Sequence, residues 1–120
     1  MKKISEFVEH LHEVFAEFGH IEAKRMFGGY GLYREGLMFG LVAADVLYLK
    51  ADEGTVELFI GLNLPPFEYE KAGKTMKIAY YQAPEELFDD PQVAKQWAEL
   101  ALGAAVRAKN TQGKRRKASK

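Results

Sequence analysis

Four groups of residues in this chain are of types and spacings that could do chemistry. Glu85-Glu86 and Asp89-Asp90 set four carboxylates within six positions, a pattern suited to general acid–base work or to a divalent cation. The same residues have a local explanation. Acids after Pro84 favour a helix N-terminus, and Asp90 before Pro91 is a carboxylate cap with proline at the first helical position. His10 and His12 are two apart on a helical pattern, so they point to nearly opposite sides and cannot share a metal; with His20 they read as solvated histidines. Gly73-Lys74-Thr75 imitates the end of a phosphate-binding loop, but the earlier glycine it requires falls at Glu68, which leaves a hairpin turn. Arg25-Met26-Phe27-Gly28-Gly29-Tyr30-Gly31 has glycines without the spacing of a dinucleotide fingerprint. Missing Cβ atoms there mean either a sharp bend in a sheet or a surface that something approaches closely. No cysteine is present, which excludes disulfides, thiolate metal sites and a cysteine nucleophile and fits a reducing compartment.

The elements around these residues follow from periodicity. Ile4, Phe7, Val8, Leu11, Val14, Phe15 and Phe18 form a helical stripe, with Ser5 as N-cap and Gly19 as the stop. From Ile21 to Lys50, breaks at Gly28-Gly29, Arg34-Glu35-Gly36 and Ala44-Asp45 predict a meander of three or four antiparallel strands. Asp52 is placed to cap a short helix carrying Val56, Phe59 and Ile60, ending near Gly61. Leu64-Pro65-Pro66 leads out extended into a hairpin turning at Lys71-Ala72-Gly73-Lys74. A last helix after Asp89-Asp90-Pro91 presents Val93, Trp97, Leu100, Ala101, Ala104 and Ala108. The expected fold is α+β, a two-layer sandwich in which one antiparallel sheet, built from two sets of hairpins, packs against N-terminal, middle and C-terminal helices. Residues 1–108 form the domain, and 109–120 are expected to be a disordered basic tail.

With seven of the 17 cations in Arg107–Lys120 and every acid at or before Glu99, the first 106 residues hold ten cations against 17 acids, a net charge of −7. Lys114-Arg115-Arg116-Lys117 are therefore candidate nucleic-acid contacts, acting by counterion release, or simply a solubilising end. The strands interleave Phe27, Tyr30, Tyr33, Phe39, Tyr48, Phe67, Tyr69, Tyr80 and Tyr81 with Lys24, Arg25, Arg34, Lys50, Lys74 and Lys77. Such a face could stack single-stranded nucleic acid, while strand packing and edge protection explain the same residues without a ligand. No targeting segment and no apolar run of membrane-spanning length occurs, so a cytoplasmic protein without a membrane partner is expected.

One ordered string of motifs is specific as a set. Arg25-Met26-Phe27-Gly28-Gly29-Tyr30-Gly31 is followed by Met38-Phe39-Gly40, Leu47-Tyr48-Leu49-Lys50-Ala51-Asp52, Pro66-Phe67-Glu68-Tyr69, Met76 with Tyr80-Tyr81 and Pro84-Glu85-Glu86, then Trp97 with Ala101-Leu102. This string resembles the TfoX N-terminal domain, over about Val8 to Ala108. The resemblance implies an α+β domain with an antiparallel sheet, an association with bacterial TfoX/Sxy-type regulators of competence and transcription, and no enzymatic activity, metal or cofactor. Full-length regulators of that type carry a second, C-terminal helical domain where this chain has its basic tail. The leading expectation is a non-enzymatic regulatory module working through protein contacts, a homodimer among them. Its candidate surface is Arg25, Met26, Gly28, Gly29, Tyr30 and Met38, because glycines permit close approach and methionines adapt to a partner. The alternatives are a nucleic-acid-associated protein using the tail, and an enzyme with an unrecognised site at Arg25, Tyr30 or Asp89-Asp90.

Overall fold

The computed structural model describes residues 6–26 and 28–118, and the side chains of Lys71, Met76, Lys77 and everything after Asn110 lie outside that description. Chain order is α1 (Glu6–Val14), β1 (Glu22–Met26), β2 (Gly29–Arg34), β3 (Leu37–Ala43), β4 (Val46–Lys50), α2 (Val56–Gly61), β5 (Pro66–Lys71), β6 (Lys74–Gln82), a 3₁₀ turn (Glu85–Phe88) and α3 (Pro91–Ala118). The strands form one antiparallel sheet in the order β1-β2-β3-β4-β6-β5. This is the α+β sandwich that the sequence predicts.

Local chemistry accounts for the strand connections. Each of Glu35-Gly36, Ala44-Asp45 and Ala72-Gly73 is a two-residue link with both residues at positive φ, between 50° and 81°. That is the type I′ geometry whose twist matches the strands it joins. β5 lies at the sheet edge, where Pro66 forfeits no ladder bond in the sheet interior. The other edge, β1, is short and carries Glu22, Lys24 and Arg25, which discourages pairing with another chain.

Helix ends follow mostly as expected. Asp90 Oδ1 accepts from the backbone N–H groups of Gln92 (2.9 Å) and Val93 (3.4 Å), so Asp90 is the cap of α3. After α2 the left-handed stop is taken by Asn63 (φ 58°), and the N–H groups of Asn63 and Leu64 reach the carbonyls of Ile60 and Phe59. The cap assigned to Ser5 lies outside the described residues. α3 continues through Ala118, so the backbone of the basic segment extends the helix instead of leaving it as an irregular tail at residue 109.

The core lies on one face of the sheet. Val8, Leu11, Val14, Phe15 and Phe18 cover it from the N-terminal side, and Ala94, Ala98, Ala101 and Ala105 from α3. That alanine stripe corrects the expected helix face: Leu100 points outward, 36% exposed, because the helix turns its smallest side toward the strands. Phe59 of α2 sits between Trp97 (5.1 Å between ring centroids) and Tyr81 (5.4 Å), tying α2 to α3 and β6.

A bulge decides how β3 divides its side chains. Leu32 pairs with Gly40 but Tyr33 pairs with Met38, so two residues of β3 advance against one of β2 and Phe39 is the extra one. Phe39 enters the core, fully buried, with ring centroids 5.8 Å from Phe15 and 5.3 Å from Phe18. Met38 and Leu41 go to the opposite face. Replacing Phe39 by alanine removes the centre of this cluster; unfolding in urea should show a loss of about 3–5 kcal/mol with an unchanged slope.

Candidate interaction surfaces

The Arg25–Gly31 segment forms the β1–β2 hairpin, with Arg25 opposite Tyr30 and Met26 opposite Gly29. Five of the six predicted contact residues, Arg25, Met26, Gly28, Gly29 and Tyr30, line one shallow depression of about 360 Å³. Their side chains nevertheless divide between the two sheet faces, since cross-strand partners share a face and neighbours alternate. Arg25 and Tyr30 lie on the helix side, the guanidinium 5.9 Å from the ring centre. Met26 and Met38 lie on the other side. Both sulfurs converge over Gly31, where a Cβ would stand 2.8 Å from Met26 Sδ and 3.3 Å from Met38 Sδ. The two methionines therefore meet across a glycine that the expected contact surface leaves out.

The glycines serve different ends. Gly28 has φ +79° and open space around it, as a turn requires. Gly29 is buried, and a Cβ there would fall on the carbonyl oxygen of Val42. At Gly29 the close approach is made by the protein's own Val42 backbone.

Of the remaining sequence candidates, His10, His12 and His20 are exposed, and no group of three His, Asp or Glu side chains among the described residues could hold a metal ion. Gly73-Lys74-Thr75 is the β5–β6 turn and the start of β6. The expected capping of α2 by Asp52 is not what is found: the cap position is Thr55, without a side-chain cap bond, and Asp52 organises the turn before it. Its Oδ1 accepts from Gly54 N–H and Thr55 Oγ1–H in the turn before α2, and its Oδ2 binds the Arg107 guanidinium. That hydrogen bond with Arg107 is the main cause that holds the Asp52 carboxyl below its usual range. Arg107 thus fastens α3 to the approach of α2. Asp52 and Arg107 line an open groove of about 840 Å³ together with Ala79 and Tyr81. Nothing local in sequence marks a pair 55 positions apart.

Two surfaces stand out beyond the expected residues. α2 and the turn after it expose Leu58 (47%), Ile60 (53%) and Leu62 (51%). The helix-free sheet face carries Tyr33, Tyr48, Phe67, Tyr69 and Tyr80, with Lys24 Nζ 4.8 Å from the Tyr33 ring centre and Lys50 Nζ 5.1 Å from that of Tyr80. Burial, and secondarily the nearby Tyr33, pushes the Tyr80 phenol up to about 12.

The model of the TfoX N-terminal domain matches residues 13–105. The chain belongs to that family. It is also similar to protein Sxy of Escherichia coli (strain K12), 30% identical over 105 residues, covering 86% of this chain. This TfoX-type domain spans about half of that relative's length (49%). The matched span runs from the end of α1 into the second half of α3, so the whole sheet and the Asp52 turn belong to the family's fold.

Substituting Gly29 tests whether it is structural. Gly29→Val should lose upward of about 2 kcal/mol in thermal or urea unfolding, because the Val42 backbone has no room to yield. Gly28→Asn, which tolerates positive φ in open space, should stay within about 1 kcal/mol of the parent.

Proposed function

We propose that this TfoX-type domain is a non-enzymatic regulatory module that acts through protein–protein contacts, in the manner of a competence- or transcription-regulator domain. The observation that carries this reading is the apolar exposure around α2: Leu58 and Leu62, one helical turn apart on the same side, and Ile60 on another side, each about half exposed. Soluble domains hide such side chains or use them against a partner. Helix α2 is anchored by Phe59 against Tyr81 and Trp97, so Leu58 and Leu62 are presented on a rigid base. The family membership supports the regulatory part of the reading.

The double substitution Leu58→Ser/Leu62→Ser lies outside the buried core, and each change should cost no more than about 1 kcal/mol. It should weaken self-association, or capture of a partner from lysate, by at least about tenfold. Light scattering across a concentration series and a pull-down with parent and variant check this. A strict monomer that recovers no partner would remove the reading's support.

The charge asymmetry favours a second reading, nucleic-acid association through Lys114, Arg115, Arg116 and Lys117. A chain ending at Lys109 should then bind a labelled duplex much more weakly and with a smaller salt slope in anisotropy. Equal binding by both chains, or none by either, would sink that reading.

A further inference from the structure

The helix-free face of the sheet is unlike the rest of the surface in both chemistry and charge. Register places Lys24 (β1), Tyr33 (β2), Tyr48 and Lys50 (β4) and Tyr69 (β5) on it, with Phe67 between Tyr48 (5.0 Å) and Tyr69 (6.0 Å). Lys74, at the start of β6, adds a third cation at one end of the same face. Among the described strand residues, Glu22 is the acid on this side; Glu68 and Glu70 pair with Lys77 and Thr75 on the helix side. A domain of net charge −7 over its first 106 residues thus keeps one face with a positive excess, and that face is the aromatic one.

We infer that this face is a binding platform for single-stranded DNA, with bases stacked on Tyr33 and Tyr69, the latter backed by Phe67 and Tyr48, and phosphates met by Lys24, Lys50 and Lys74. Stacking on aromatic rings beside cations is how single strands are held without sequence readout. Six strands span about 24 Å, room for roughly four nucleotides, which matches the smaller single-strand sites. The Lys24 and Lys50 ammoniums already lie against rings, so they are held at the sheet surface where a stacked strand would run its backbone. A second copy is a poor occupant, because two-fold packing of this face would bring like-charged lysines together. RNA is a poorer one than DNA. Apart from the tyrosine hydroxyls, Gln82 is the uncharged polar side chain that register puts here among the described residues, leaving few partners for ribose 2′-hydroxyls.

This goes beyond the protein-contact reading and uses a different face, so either stands if the other falls. Anisotropy of a labelled oligothymidylate with the full chain is the test, alongside oligouridylate and a duplex as competitors. The single DNA strand should bind tightest. Tyr33→Leu and Tyr69→Leu, which keep apolar bulk and remove the ring, should each weaken it about five- to a hundredfold. Lys24→Gln/Lys50→Gln, on side chains that pack nothing in the core, should lower the salt slope by about 1.4. A chain with Lys114, Arg115, Arg116 and Lys117 all changed to Gln should keep the dependence on Tyr33 and Tyr69. The inference is overturned by no binding, by equal or tighter binding of duplex or RNA, or by binding that survives the ring changes and vanishes with the tail changes. It is overturned as well if light scattering finds a dimer that Tyr69→Leu dissolves.

Discussion

One extra residue in β3 sets which side of the sheet every neighbour serves. A strand alternates faces, so without the bulge Phe39 and Leu41 would point the same way. With it, Phe39 joins Phe15 and Phe18 beneath α1, while Leu41 and Met38 turn to the other side. The core can then be built on one face by helices alone, and the second face is left to satisfy itself. It does so with cross-strand contacts: Met26 and Met38 over Gly31, Tyr48 against Phe67, and the Tyr80 hydroxyl donating to the Met38 carbonyl (3.4 Å). Leu41 and Tyr80 are nearly inaccessible there without a helix above them, at 5% and 7%.

Whatever depends on contiguous residues was legible in the sequence. Hairpin turns at Glu35-Gly36, Ala44-Asp45 and Ala72-Gly73 need only local backbone chemistry, and the Asp90-Pro91 start of α3 carries its own cap. The stripe of α1 was equally plain, because three- and four-residue spacing translates directly into one buried side. What failed needed information from elsewhere in the fold. The bulge at Phe39 is visible only as a register step between two strands. Leu100 looked buried because it fits the apolar period, but closeness to the sheet favoured the alanines. The Asp52–Arg107 pair joins positions that only the packing of α3 across the sheet brings together. The candidate contact surface was legible as a cluster and illegible as a face, since its residues alternate sides along β1 and β2.

Charge follows the same division. The acids crowd the helices, the turns and the helix side of β5, while Lys24, Lys50 and Lys74 stand on the bare side of the sheet. A near-neutral total hides both this polarity and the seven-cation segment from Arg107 onward. Arg107 itself is spent on Asp52, so that segment's first cation holds helices together instead of reaching outward.

The Arg25–Gly31 segment shows why a glycine cluster is weak evidence for a ligand loop. Its glycines answer three separate geometric demands: a positive φ at Gly28, the Val42 carbonyl against Gly29, and two methionine sulfurs over Gly31. Each demand comes from the protein's own chain, so the cluster would exist with no ligand at all. It also places Met26 and Met38 where their thioethers, the most deformable side chains of the sheet face, border Tyr33. The segment's glycines are thus accounted for by the packing of the hairpin on itself.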